Sequence, residues 1–308
     1  MNYPVICIGG ALIDELFHAS ETILPATTNM VTTRKSAGGV SRNLAHQLAL
    51  LNVPVKLVSV FGTDSDGDWL KSVCTNAGID IALSVTENIP SGKYIGIINP
   101  DGSLYTALFN NVVENLLLPS YLEKHSDELK QASYLVADTN LAKVTIEWII
   151  AFSNKNKIPL IIEPVSVAPA RKLSGIDLQG VYLVTPNEDE LPAICNQKDL
   201  SPDEQINELL KRGVQNIWLH KGAEGSVLYN KNEILKTNAP KINVVDCTGA
   251  GDALVSGFIM GKYFGEDDHA SLKIAHTLAA ETLQVNGAIG EHINKQRLLQ
   301  DVLKYYNE

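Results

Sequence analysis

Asn243-Val244-Val245-Asp246-Cys247-Thr248-Gly249-Ala250-Gly251-Asp252-Ala253-Leu254 joins a β-branched run to an apolar stretch of helical spacing through a turn of small residues. It reads as a strand, a Gly-Ala-Gly turn and a helix from Ala250 to Phe264. At such a helix start several backbone N–H groups lack partners and the macrodipole is positive, so Gly249, Ala250 and Gly251 offer an anion hole that a phosphate can approach closely. Asp252 falls in the first turn beside that anion. A carboxylate placed there can accept the proton of an alcohol attacking a bound phosphoryl group. The same residues also suit a plain helix start with tight-turn glycines and a stabilising acid. The rest of the chain has to decide between the two.

Outward from this stretch, short β-branched runs recur at Val5–Ile8, Val55–Val60, Tyr134–Ala137, Leu160–Ile162, Tyr182–Val184 and Ile217–Leu219. Segments of helical spacing lie between most of them, such as Leu44, Leu48 and Leu51, or Ile146, Ile149 and Ile150. Nearly continuous apolar strands alternating with helices predict an α/β fold, a parallel sheet covered on both faces. Two segments break the rhythm. Residues 15–36 lack a helical period, and residues 92–112 contain two short extended runs around the turn Asn99-Pro100-Asp101-Gly102. The second reads as an antiparallel flap, or else as an ordinary surface hairpin, and together the two segments would form a lid on one domain spanning 1–308; a lid is a usual device for excluding water from phosphoryl transfer. The C-terminal third reads as helices over Ala250–Phe264, His269–Val285 and Ile293–Tyr305.

Composition narrows the function. The chain has 308 residues, a formal net charge of −10 and 45% hydrophobic residues, which suits a soluble globular protein and argues against a nucleic-acid partner gripped over a broad basic face. Its four cysteines form no CxxC pair, and such scattered thiols fit the cytoplasm. No apolar run reaches the ~18 residues of a membrane span. A P-loop kinase is excluded because no GxxxxGK[ST] segment exists, and Gly9-Gly10 is not the GxGxxG of a dinucleotide fold.

Four more segments carry candidate chemistry. Gly9-Gly10-Ala11-Leu12-Ile13-Asp14 places an acid just after the first strand, at the sheet edge where open α/β folds bind ligands; one carboxylate there can accept both hydroxyls of a sugar diol, or it is a helix cap or turn residue. Gly38-Gly39 lets backbone approach a ligand and Asn43 can donate and accept, or the segment is a plain loop-to-helix entry. Thr185-Pro186-Asn187-Glu188-Asp189-Glu190 puts Asn187 and Glu190 one turn apart, either as a capped acidic helix start or as partners of a hydrated Mg²⁺. His220-Lys221-Gly222-Ala223-Glu224-Gly225 ends a strand with glycines, as a simple turn or as backbone against a nucleotide.

The order of these segments along the chain resembles the ribokinase, or PfkB-type, superfamily of sugar and nucleoside kinases. The resemblance rests on Gly38-Gly39 with Asn43, Thr185-Pro186-Asn187 with Glu190, Lys221-Gly222 with Gly225, and Thr248 to Asp252. It implies a three-layer α/β/α sandwich with a small β-sheet lid, and ATP and Mg²⁺ as cofactors. It implies Asp252 as catalytic base, Gly249, Ala250 and Gly251 as the anion hole, and Asp14, Gly38, Gly39 and Asn43 at a ribose-like acceptor. Asn187, Lys221, Gly222, Gly225, Gly287 and Ala288 would lie along the nucleotide, with Glu190 and Asp246 as metal ligands and K⁺ near Asp246.

Within the superfamily, GGVSRNLAHQLALL, Leu135–Asn140 and Glu163-Pro164-Val165-Ser166 resemble pseudouridine kinases, which commonly carry Asp where this chain has Glu163. The implied activity is phosphorylation of the 5′-hydroxyl of pseudouridine. Ribokinase-like, fructokinase-like or other nucleoside kinases are the alternatives, and a non-catalytic nucleoside or sugar sensor is the alternative of another class. Arg42 reads either as a specificity determinant or as a solvated or structural residue at a helix start. An exposed lid edge would suit a homodimer contact.

Overall fold

Val5–Ile8 lies between Tyr134–Asp138 and Val55–Val58 and runs parallel to both, and Leu160–Glu163, Leu183–Val184 and Asn216–His220 extend the same array. The computed structural model describes residues 3–196 and 200–306; of the expected span 1–308, residues 1–2, 197–199 and 307–308 lie outside the described residues. Ser226–Asn230 and Ile234–Thr237 complete an eight-stranded sheet as antiparallel strands. The sheet is therefore mixed rather than wholly parallel, because the short link Lys221–Gly225 permits a hairpin but no crossover.

Alternate side chains of the buried strands feed two cores. Ile6, Ile8, Leu135, Leu160 and Ile162 face one, which the helix Lys143–Asn156 covers through Ile146, Ile149 and Ile150. Val5, Cys7, Val136, Ile161 and Trp218 face the other, under the helices Val40–Leu50, Ala250–Tyr263 and Asp268–Leu283. This is the three-layer α/β/α arrangement. The last two helices approach so closely that a Cβ on Gly257 would lie 2.6 Å from Ala275 Cα.

Two expected strands differ from the structure. Val55–Val60 divides: Val55–Val58 stays in the main sheet, while Val60–Gly62 pairs with Val85–Glu87 in a separate parallel pair. Asn243–Asp246 forms no strand, and Val244 and Val245 are 53% and 56% exposed. The edge position is already taken by Ile234–Thr237, and the chain leaves it through Pro240, which lacks an N–H for a ladder. Val245 N and Asp246 N donate instead to the Leu283 carbonyl.

A second sheet, four-stranded, runs in the order Val31–Gly38, Leu12–Ala19, Lys93–Ile98, Leu104–Asn110. It is built from the two segments expected to form the lid, but Leu12–Ala19 and Lys93–Ile98 pair in parallel, so the sheet is mixed rather than antiparallel. Pairing begins at Leu12 rather than residue 15 and runs to Gly38, and it stops at Asn110, before the short helix Val112–Leu116. Gly102, at φ 85°, closes the Asn99–Ser103 turn. No helix among the described residues is long and apolar enough to cross a membrane.

Candidate active site

The carboxyl ends of the parallel strands deliver Gly9-Gly10, Asp138, Glu163, Thr185 and His220 to one edge of the main sheet, and Glu163 and Asp138 are register neighbours there. Three cavities open along this edge. One of about 720 Å³ lies under the lid and is lined by Asp14, Gly39, Asn43, Tyr94, Gly249 and Asp252, among others. A middle channel of about 260 Å³ also reaches Gly249 and Asp252 and adds Glu163, Asn187, Glu190, His220, Ala250 and Gly251. A third, of about 550 Å³, shares Cys247 and Ala250 with the channel and continues along Gly222, Ala239, Ile242, Val244 and Leu283. The Cys247–Asp252 turn thus stands where all three meet.

Asp252 is buried at the first turn of Ala250–Tyr263 and accepts a hydrogen bond from Asn43 Nδ2 at 2.7 Å. Burial pushes its carboxyl up to about 7, against the opposing pull of the Asn43 hydrogen bond and the Arg42 charge. A carboxylate poised there can hold or release a proton at neutral pH. Asp14, across the same cavity, is pushed up to about 6 by burial, with Arg42 again pulling the other way.

Arg42 itself is fully buried. Its guanidinium donates to the Ala37 and Gly38 carbonyls and to Asn43 Oδ1, which turns the Asn43 amide nitrogen toward Asp252. Of its two expected readings, the structural one is what the contacts describe. Gly38 makes room for Asp14, since a Cβ there would lie 2.2 Å from Asp14 Oδ2. Asp138, wholly buried, receives Gly10 N, Ser41 N, Ser41 Oγ and Asn140 N, and so pins together the turns that carry Asp14, Asn43 and Asn140.

The channel is lined by acids and small residues. Gly249, at φ 77°, sits against Ala288, where a Cβ would lie 2.6 Å from Ala288 Cα. A Cβ on Gly251 would meet nothing within 4 Å. Gly249, Ala250 and Gly251 all line the channel at this helix start, as an anion hole needs, with Ala250 N donating to the Cys247 carbonyl at 3.5 Å. Asn187 Oδ1 accepts from Glu190 N while Glu190 Oε2 accepts from Asn187 N, so the pair is a reciprocal helix cap that also lines the channel.

Burial raises Glu190. Burial and the charge of Glu190 raise Glu163 well above the usual range, although Thr185 Oγ1 donates to it. Val165 takes φ 68°, a strained backbone for a β-branched residue, at the border of the acceptor cavity and the channel. His220 lines the channel as a neutral ring, pushed down to about 3 by burial, and its Nε2 has no hydrogen-bond partner among the described residues.

At the far end, Gly222 lines the third cavity, but Lys221 does not; its ammonium pairs with Glu188 and Glu224. Gly225 serves the turn, at φ 95°, where a Cβ would lie 2.0 Å from the Thr237 carbonyl oxygen. Gly287 and Ala288 back the Gly249 turn and are absent from the lining of the third cavity; Gly287 N donates to Asp246. Sequence reasoning gives no site role to Tyr94, Asn111, Glu114, Asn140 and Lys172 in the cavity under the lid, or to Ala239, Pro240, Lys241, Ile242 and Val244 in the third. Asn140 and Val244 lie in segments that carry a signal, Leu135–Asn140 by resemblance and Val244 as part of an expected strand.

Residues 4–295 match the family model described as "pfkB family carbohydrate kinase". The chain belongs to the pfkB family of carbohydrate kinases. As a pfkB kinase it is a phosphotransferase, with curated relatives among pseudouridine kinases and ribokinases. It is 29% identical over 261 residues to pseudouridine kinase of Escherichia coli, covering 82% of each chain. It is 27% identical over 275 residues to ribokinase of Lactococcus lactis, covering 89% of this chain and 86% of that one. The structure of Arabidopsis thaliana ribokinase complexed with ribose and ATP superposes with a TM-score of 0.88 at 21% identity, covering 98% of this chain and 99% of that one. The ribokinase fold of this pfkB kinase follows from that likeness.

Proposed function

We propose that this pfkB kinase transfers the γ-phosphoryl group of ATP to the 5′-hydroxyl of pseudouridine. The observation that supports a nucleoside acceptor is the depth of the cavity under the lid. Beyond Asp14, Asn43 and Asp252 it continues to Asn111, Glu114, Asn140 and Lys172, with Tyr94 and Phe109 also in its lining. A ribose would be held by Asp14 and Asn43. A pyrimidine would then have aromatic contact and a set of donors and acceptors, with Lys172 paired to Glu114 at 2.8 Å and Asn111 donating to the Asn140 carbonyl at 2.7 Å.

In this reading Asp252 accepts the proton of the 5′-hydroxyl as its oxygen attacks the γ-phosphorus. The bond from phosphorus to the bridging oxygen breaks, and ADP leaves with that electron pair. The N–H groups of the Gly249–Gly251 turn hold the transferred oxygens in line, and the third cavity takes the adenosine. Glu163 and Glu190 bring like charges together in a buried channel, a donor set that fits a hydrated divalent cation. Mg²⁺ held there would offset phosphate charge.

The lid would exclude water. Its edge strand Leu104–Asn110 leaves Leu104 and Leu108 53% and 61% exposed, which supports a homodimer joined through the lid. The unpaired cysteines suit a cytoplasmic protein.

An ADP-release assay with pseudouridine, uridine, adenosine, ribose and fructose, with the product identified by ³¹P NMR, tests this. The highest kcat/KM is expected with pseudouridine. Preference for ribose or fructose would make it a sugar kinase, and binding without turnover would make it a sensor.

A further inference from the structure

Arg34 stands on the outer lid strand Val31–Gly38, opposite Leu16, and its side chain reaches away from the lid to the turn before the anion hole. Its Nη1 lies 3.5 Å from Asp246 Oδ2, and a Cβ on Gly287 would lie 3.3 Å from its Nη2. The Asp246 carboxylate is otherwise engaged by backbone and hydroxyl donors. Oδ1 accepts from Thr248 N at 2.9 Å and Thr248 Oγ1 at 2.7 Å, and Oδ2 accepts from Gly287 N at 2.9 Å. Asp246 therefore ties the residue before Gly249 to the loop whose next residue, Ala288, backs Gly249. This one carboxylate thus links the two loops that meet at Gly249.

The K⁺ implied near Asp246 does not fit this donor set. A carboxylate offers about four lone-pair sites, and here donors from two loops take three while the remaining one faces a guanidinium. A second cation brought beside Arg34 would meet like-charge repulsion.

We propose that Arg34 is a positioning residue that supplies from the lid the positive charge Asp246 requires, so that the phosphate turn is ordered without a monovalent cation. Arg34 touches neither acceptor nor nucleotide cavity and acts through Asp246. The proposal rests on the kinase reading for its consequence in turnover, while the contact itself can be tested without turnover.

The full chain is compared in KCl and in tetramethylammonium chloride at equal ionic strength, by melting temperature, by calorimetric ATP affinity and by ADP release. The wild-type protein is expected to give the same values in both salts. Arg34→Gln is expected to weaken ATP binding roughly fivefold in tetramethylammonium, the scale of one partly exposed ion pair, and Arg34→Lys to restore most of it. Tenfold stimulation of the wild type by K⁺, or an Arg34→Gln protein whose ATP affinity equals the wild type's in both salts, overturns the proposal. If no acceptor is phosphorylated, the kinase reading fails, yet melting and ATP affinity still decide the role of Arg34.

Discussion

Asp252 must lose its proton to act as a base, and its surroundings set when that happens. With the carboxyl pushed up to about 7 by burial, kcat/KM is expected to fall about tenfold per pH unit below that value and to level off above it. Asp14, raised to about 6, adds to the same acid limb. A profile flat between about pH 5 and 8 would remove Asp252 from the role. The Asn43 hydrogen bond favours the charged form, so Asn43→Ala is expected to move the acid limb to higher pH.

Stability runs in the opposite sense. The folded chain holds the Asp252 proton more tightly than the unfolded chain does. That contribution is present below the ordinary carboxylate pKa and is lost as pH rises through about 7. Asp252→Asn is therefore expected to melt higher than the wild type at alkaline pH while losing on the order of 10²–10⁴ in turnover. A variant with near-normal turnover would show that another group takes the proton.

The Gly249–Gly251 turn separates folding from binding within one short segment. Gly249 needs its left-handed backbone and has Ala288 where a side chain would go, so Gly249→Ala is expected to cost about 1–3 kcal/mol of stability and to lose activity with it. Gly251 lies in helical backbone with open space before it. Gly251→Ala should melt at or above the wild-type temperature, since Ala gains about 1 kcal/mol over Gly in a helix. Its added methyl group would still occupy phosphate space. Paired melting curves and ATP titrations check this, and a Gly251→Ala protein with normal ATP affinity would empty the proposed anion hole.

The lid is fastened to the body by charge as well as by chain. Lys35 and Lys93 both pair with Asp66 on the helix Ser65–Asn76, and Lys93 also pairs with Glu15 at 3.1 Å. Asp66→Asn removes the shared carboxylate, and is expected to raise the acceptor KM several-fold with little change in melting temperature. The exposed lid edge gives the assembly prediction: the wild type is expected to sediment as a dimer and Leu108→Lys as a monomer. Identical sedimentation of the two proteins would take the dimer contact away from that edge.

Much of this molecule was legible along the chain because its causes are local. Continuous apolar runs such as Val5–Ile8 make buried strands wherever they lie, and the glycines and Asp252 at the start of Ala250–Tyr263 fix a helix N-terminus by sterics and by unpaired N–H groups. Other features depend on neighbours distant in sequence. Val244 and Val245 have strand composition, but the sheet edge was already filled, so they lie beside a cavity instead. Arg42 reads as a helix-start residue until the Ala37 and Gly38 carbonyls close around it. The sequence by itself determined the layered α/β architecture and the small-residue turn that opens Ala250–Tyr263, since periodicity and backbone chemistry act over a few residues. Only the tertiary structure decided which acids are buried, that Asn43 meets Asp252 across 2.7 Å, and that a lid arginine pairs with Asp246, because burial and charge pairing arise from segments that folding brings together.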